Sequence, residues 1–241
     1  MRKKHASEEF EVNPEFLPPP ELWEAFKKLL SPWPSKPKGG RPPMSDKKAF
    51  CAIYYVLRTG IQWKALPTAL GAASTVHDRF QKWRRQGLFK KLWGVALKKY
   101  DKVKGIDWQW QSIDGAMTKA PLGGENTGPN PTDRAKKGTK RHLLTEGKGI
   151  PLAIVATGAN RNDFKETENV IENIIVKRPK STKKNKQNMC LDKGYDYPEV
   201  HELIKQYGYT AHIKTRGEEI TEKENIPGYR ARRWVVERTH S

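Results

Sequence analysis

The stretch Gln187-Asn-Met-Cys-Leu-Asp-Lys-Gly-Tyr-Asp-Tyr-Pro-Glu-Val-His-Glu-Leu-Ile-Lys-Gln-Tyr-Gly-Tyr-Thr-Ala-His-Ile-Lys214 reads as strand, helix and strand. Residues 187–191 form a short strand that stops on an acid, Asp192, followed by Lys193-Gly194-Tyr195. Pro198 suits the first position of a helix and Gly208 its C-terminal stop, which predicts a helix over 198–207. Residues 209–214 are the next strand. A helix between two strands is the mark of an α/β sheet.

Reading backwards from this unit, the same texture reaches to residue 105. Residues 108–114 alternate in strand fashion and end on Asp114. Residues 141–145 and 150–157 are two more strands, and Glu146-Gly147-Lys148-Gly149 between them suits a hairpin turn. The run 151–156 is almost wholly apolar, as a central strand would be. Asp163 can N-cap the following helix with Glu166 at its third position, and Phe164, Val170, Ile171, Ile174 and Ile175 would form its buried stripe. Acidic, loop-like sequence runs over 217–228, and a last helix over 229–240 carries Glu237. Three antiparallel strands followed by βα units make a mixed sheet with helices on both faces.

Forward of residue 105 the chain is helical and basic. Nine of the 17 prolines precede residue 44 and confine early helix to 21–30. Residues 45–59 read as a helix with Ser45 as N-cap, Gly60 as stop, and Phe50, Ile53, Tyr54 and Leu57 on one stripe; Cys51 within it is a structural thiol. A second helix, 75–86, has Thr75 and Asp78 at capping-box spacing. Val76, Phe80 and Trp83 form its apolar face, and Arg79, Lys82, Arg84 and Arg85 lie on its surface. A third, 88–100, would close a bundle through Leu88, Leu92 and Val95. Helix, short connection and basic helix is the outline of a helix-turn-helix. The chain thus divides into a Pro-rich segment (1–43), a helical DNA-binding domain (44–104) and an α/β domain (105–241).

The charge follows the same division. The chain has 241 residues, 46 Lys+Arg against 27 Asp+Glu, and a net charge of +19. Residues 36–104 carry 17 basic and three acidic side chains, a net of +14, whereas 105–241 carry 24 and 18, a net of +6, and 1–35 a net of −1. A +14 concentrated over 69 residues points to nucleic acid, because each phosphate neutralised releases counterions. Smaller clusters are Arg134, Lys136, Lys137, Lys140 and Arg141, and the run 177–186. No apolar run approaches the ~20 residues a membrane span needs. The N-terminus has no apolar signal region, which leads to the expectation of a cytoplasmic protein. Two cysteines 139 positions apart exclude a disulfide scaffold and a zinc ribbon.

Asp114 and Asp192 each follow an apolar strand, so parallel neighbours would bring both acids to one edge of the sheet, with Glu237 beside them. Carboxylates so gathered raise one another's pKa unless a cation is present, and hard oxygen ligands suit Mg²⁺ or Mn²⁺. An exposed Asp that caps the next turn is the other reading of each strand end, and on the residues alone both stay open.

The motifs at these positions resemble a known family. They are Gly60-Ile-Gln-Trp-Lys-Ala-Leu-Pro67, Gln109-Trp-Gln-Ser-Ile-Asp114-Gly-Ala-Met117, Gly128-Pro-Asn-Pro-Thr-Asp-Arg134 with Lys137-Gly-Thr-Lys-Arg141, Gly158-Ala-Asn-Arg-Asn-Asp163, Leu191-Asp-Lys-Gly-Tyr-Asp196 and Arg233-Trp-Val-Val-Glu-Arg-Thr-His240. In that order they resemble a bacterial insertion-sequence transposase with an Asp-Asp-Glu triad, of the insertion-sequence-five family. The resemblance implies a ribonuclease-H-like catalytic domain that cleaves element ends and transfers the strand to target DNA. It implies two Mg²⁺ or Mn²⁺ ions held by Asp114, Asp192 and Glu237, with Arg233 contacting a phosphate or orienting the Glu. The expected DNA contacts are Arg79, Lys82, Arg84, Arg85, Lys137, Lys140, Arg141, Lys193 and Arg233. The expected partners are the terminal inverted repeats, target DNA and further copies of the chain, in the bacterial cytoplasm at the nucleoid and without a membrane. His240 reads as a surface histidine near the chain end, with a place in the site as the alternative, and Tyr229 lacks the family's spacing to Arg233. The family continues past residue 241 with a basic helical segment, so the chain is expected to be short at that end. An inactive, DNA-binding remnant is the alternative.

Overall fold

A computed structural model of the chain describes residues 12–32, 42–213, 218, 221, 224, 225 and 234–240. Contacts divide it into two compact units, Met1–Ala96 and Leu97–Ser241, with the division falling inside a helix.

The first unit contains α1 (Pro20–Lys27), α2 (Asp46–Thr59), α3 (Ala73–Arg85) and the start of α4 (Leu88–Lys104). Its core is aromatic. Phe26 is fully buried and stacks on Phe50, with ring centroids 4.5 Å apart, while Trp83 meets it edge-on at 4.8 Å. The α2 ends are built as expected: Ser45 Oγ accepts from Lys48 N at 3.3 Å, and Gly60 closes the helix at φ 69°. The buried face of α2 is different. It runs through Ala49, Phe50, Cys51, Ala52, Ile53 and Val56, while Leu57 is 61% exposed. Phe50 and Ile53 of the expected stripe are buried, but the face is centred on them and on Ala49, Ala52 and Val56, which leaves Tyr54 half-buried and Leu57 outside. Val95 on α4 is likewise exposed, while Leu88 is buried in this core and Leu92 packs against it.

Two 3₁₀ turns, Trp63–Ala65 and Thr68–Leu70, occupy the link between α2 and α3. That link, residues 60–72, is far longer than the three or four residues of a tight helix-turn-helix. It delivers the chain to Ala73, so α3 starts before Thr75, and no side chain caps it. The expected capping box is therefore already inside the helix.

The second unit holds a mixed sheet of β1 (Trp110–Lys119), β2 (Gly128–Pro129), β3 (Lys137–Glu146), β4 (Pro151–Gly158), β5 (Gln187–Leu191) and β6 (Tyr209–Ile213). The order is β2-β3-β1-β5-β6, with β4 also on β3. β3 is antiparallel to β1, β2 and β4, whereas β5 is parallel to β1 and β6. Three long antiparallel strands followed by two parallel ones are the ribonuclease-H-like arrangement. The apolar run 151–156 is not a central strand: among the described residues β4 pairs only with β3, and Ile154 is 46% exposed. Nor does β1 end at Asp114, since its pairing with β3 runs on to Lys119.

Helical segments flank the sheet. Asp163–Glu166 is a 3₁₀ turn that continues as α5 (Thr167–Glu172), which ends before Ile174 and Ile175. α6 (Pro198–Gln206) joins β5 to β6, and α7 (Trp234–His240) ends the described chain, with Val235 and Val236 buried. Asp163 lies against Gly115, and His240 beside Asp114. Consecutive strand positions face opposite ways, so these segments cover opposite faces.

The β3–β4 turn is built around a buried acid that the sequence reading passed over. Glu146 is fully buried, and its carboxylate accepts from the backbone N–H groups of Asp107 (2.9 Å), Lys148 (2.9 Å) and Ile150 (3.1 Å). The tip it shapes receives α7. Arg238 donates to the Lys148 carbonyl at 3.1 Å and Thr239 to that of Gly149 at 3.0 Å.

Candidate active site

Asp114 and Asp192 are brought together by strand register. The parallel ladder of β1 and β5 ends at Ser112↔Cys190, and the same register two residues on sets Asp114 beside Asp192. Asp192 leaves β5 into a 3₁₀ turn, Lys193–Tyr195, and its Oδ1 accepts from Gly194 N at 2.8 Å. Glu237 comes from α7 and is exposed.

The Asp114 side chain is 25% exposed. Burial pushes its carboxyl above the usual carboxylate range, and the charges of Asp192 and Glu237 push the same way, against the Gly115 N–H and His240. Among the described residues no three His, Cys, Asp or Glu side chains are already closed into a metal-holding cluster. The donor chemistry nonetheless fits a hard cation. All three groups offer carboxylate oxygens, and Asp114 carries a cost of ionisation that a nearby cation would remove.

His240 lies against the site, and not at the surface as its position near the chain end suggests. Its side chain is 10% exposed, with Nε2 3.3 Å from the Asp114 carbonyl and 3.9 Å from Asp114 Oδ2. The one signal in the sequence is its spacing, three residues after Glu237 and so on the same helical face. Tyr195 was also missed. It is 1% exposed, and its hydroxyl has no hydrogen-bond partner among the described residues. Burial first, and then the charges of Asp163, Asp114 and Asp192, raise its pKa well above the ordinary value, so the phenol keeps its proton beneath the acids.

The expected DNA contacts fall into two groups. Lys82, Arg84 and Arg85 on α3, Lys137 and Arg141 on β3, and Lys193 beside Asp192 are exposed, with Lys193 paired to Asp196. Arg79 and Lys140 are not. The Arg79 side chain is 6% exposed and pairs with Asp46. Lys140 is 8% exposed, and its Nζ donates to the Arg161 carbonyl at 2.8 Å and to Asp163 Oδ2 at 3.0 Å. Both charges are neutralised inside their own units. Asp163 is therefore an ion-pair partner and not a helix cap. Arg233 and Tyr229 lie outside the described residues.

Comparison with known proteins agrees with this geometry. Residues 19–93 match the family described as "Putative transposase of IS4/5 family". A relative from Burkholderia cepacia, "Putative transposase for insertion sequence element IS402", is 36% identical over 128 residues, which cover 49% of this chain and 55% of that protein. The chain thus spans about half the length of that relative. A second, "Insertion element IS402 uncharacterized 16.2 kDa protein" from the same organism, is 32% identical over 115 residues, covering 46% of this chain and 78% of the other. Among solved structures, a pre-cleavage Mos1 transpososome aligns at 11% identity and a TM-score of 0.31, covering 86% of this chain and 78% of that one. The family described as "Transposase DDE domain" matches residues 110–241, more than half of the chain and the whole of the sheet that carries Asp114 and Asp192, and the chain belongs to that family.

Proposed function

We propose that this chain is a DNA transposase that cleaves insertion-sequence ends and joins the freed strand to target DNA by divalent-metal-dependent phosphodiester chemistry. The observation that carries the reading is the approach of Asp114 and Asp192 just past the end of the β1–β5 ladder, with Glu237 near enough to oppose the ionisation of Asp114.

On this reading Asp114, Asp192 and Glu237 hold Mg²⁺ or Mn²⁺, as two ions. Such a pair supplies a nucleophile active at neutral pH and charge stabilisation for the leaving oxygen. The chain's own residues fix the geometry. Asp114 sits within a paired strand, the Asp192 carboxylate is tied to the Gly194 N–H, and Glu237 approaches on a helix docked to the β3–β4 turn. In cleavage a water oxygen bonds to phosphorus and gives up a proton. The P–O3′ bond breaks, and the leaving 3′ oxygen takes a proton to become a hydroxyl. In transfer that hydroxyl loses its proton, bonds to a target phosphorus, and releases a 3′-hydroxyl from the target strand. One phosphodiester is exchanged for another, so no external energy source is needed.

Lys82, Arg84, Arg85, Lys137, Arg141, Lys193 and Arg233 would bind the phosphate backbones of the terminal repeats and the target. The protein acts as a homo-oligomer on DNA in the cytoplasm, at the nucleoid. Among the described residues no helix is long and apolar enough to cross a membrane.

The test is nicking of DNA that contains the cognate element ends, with and without Mg²⁺ or Mn²⁺. Divalent-dependent nicking, lost in Asp192→Asn, is expected. Salt-sensitive binding without nicking at any divalent concentration would favour an inert DNA-binding protein. Full activity in Asp192→Asn would remove the triad assignment.

A further inference from the structure

Four residues that are not members of the acidic triad meet behind β1. Lys140 and His142 come from β3, Asp163 from the turn after β4, and Tyr195 from the turn after β5. Lys140 Nζ lies 3.0 Å from Asp163 Oδ2. His142 is fully buried, with Nδ1 3.2 Å from Asp163 Oδ1, out of line for a good hydrogen bond, and Nε2 2.8 Å from Thr157 Oγ1. The Asp163 carboxylate rests on Gly115, where any Cβ would overlap Oδ1. Gly115 is the residue after Asp114 and pairs with His142 across the β1–β3 ladder.

Support is needed at this point of the sheet. The ladder between β1 and β5 ends at Ser112, so among the described residues the strand around Asp114 is paired to β3 on one edge and not to β5 on the other. We propose that Asp163, clamped by Lys140 and His142, is a positioning residue for Asp114: it presses on the β1 backbone at Gly115 and fixes where the neighbouring carboxylate points. The inference rests on the reading of Asp114 as a metal ligand. The clamp is built to stay ionised. Burial alone would raise the Asp163 carboxyl, but His142 and Lys140 together hold it below the usual range. A glycine at 115 is the residue that leaves room for the carboxylate, and a lysine of the basic cluster is turned inward to hold it.

Three variants of the 241-residue chain test this: Asp163→Asn and Lys140→Gln, which weaken the clamp from either side, and Gly115→Ala, which displaces it without changing any charge. Val200→Ala, which opens the core under α6, is the control for general destabilisation. Circular dichroism establishes folding, amide hydrogen exchange reads the strands, and electron paramagnetic resonance reads binding of Mn²⁺ alone. Exchange over 113–116 should rise ~10-fold or more in the clamp variants while β5 and β6 change less than ~3-fold, a local and not a global opening. Mn²⁺ affinity should fall about 10-fold in the same variants, as for loss of a group that orients a ligand, and hold in Val200→Ala. Unchanged exchange at 113–116, an even rise across all strands, or local loosening with wild-type Mn²⁺ affinity overturns the proposal. If Gly115→Ala does not fold, the other two variants decide. If the wild type takes up no Mn²⁺, the metal reading fails, and the exchange pattern still decides the clamp.

Discussion

Arg79 reaches from α3 back to the first turn of α2 and pairs with Asp46, 33 residues earlier, while its other terminal nitrogen donates to the Met44 carbonyl at 3.2 Å. A residue that counts toward a DNA-binding charge is thus part of the core that positions the basic helix. Arg79→Ala should cost about 2–4 kcal/mol in urea unfolding, because it removes a buried guanidinium that pairs with Asp46 and donates to the Met44 carbonyl. Replacing Lys82, Arg84 and Arg85 together by Ala should change stability little. It should weaken DNA binding and reduce the slope of log affinity against log salt by about 2–3, one phosphate per side chain. A reduced salt slope with unchanged stability in Arg79→Ala would return Arg79 to the DNA face.

This division marks where the sequence could be read. Ser45 with Gly60, and Pro198 with Gly208, are local signals, and the helices they bound are where they were expected. The helix between β5 and β6 was legible and carries their parallel pairing, whereas the parallel pairing of β1 with β5, which brings Asp114 toward Asp192, joins strands more than 70 residues apart and could be read only as a condition. The inward turn of Arg79 and Lys140 depends on Asp46 and Asp163, 33 and 23 residues away, and no periodicity reports such partners. The same holds for His240, whose contact with Asp114 spans 126 residues. The edge position of β4 was hidden by its composition, because an apolar strand reads as central wherever it sits.

Glu146 supplies a second test. Its carboxylate satisfies three backbone N–H groups in the turn that receives Arg238 and Thr239. Glu146→Ala should cost about 2–4 kcal/mol, since several buried donors lose a charged acceptor at once. Glu146→Gln keeps an acceptor oxygen and should cost less. In Glu146→Ala, amide exchange should rise at residues 147–150 and across 235–240, because the dock for α7 loosens with the turn. Protection retained over 235–240 would mean that α7 holds its place without the turn.

Acid sensitivity follows from Asp163 and Glu166. Burial would raise each carboxyl. Asp163 is nonetheless held low by His142 and Lys140, and Glu166 by Asn169 and Arg161. A carboxylate whose folded pKa lies below its unfolded value adds stability that is complete above the unfolded value, about 4, and is lost as pH falls through the folded one. The wild type should therefore lose stability on acidification below about pH 4 more steeply than Asp163→Asn/Glu166→Gln. The two curves should converge at the lowest pH. Melting temperature against pH from 2 to 7 is the measurement, and parallel acid limbs would contradict it.

Asp114 has the opposite sign. Burial and the charges of Asp192 and Glu237 raise its carboxyl, so the folded state favours the protonated form. Stability from such a group is fully present below the unfolded value, about 4, and falls as pH rises through the folded value. At neutral pH and without divalent cations, Asp114→Asn should melt above the wild type, because the amide removes the repulsion and is easier to bury than the anion. The gap should close as the pH drops below about 4, where the wild-type side chain is neutral too. Adding Mn²⁺ should reverse the order, since a cation that binds the folded chain stabilises it by mass action and Asp114→Asn would have lost a ligand. A site that costs stability when empty and repays it when loaded is one shaped for charge it does not itself supply, as an active site is. Equal melting temperatures of the two proteins in metal-free buffer, with no response to Mn²⁺ in either, would show Asp114 to be an ordinary strand carboxylate.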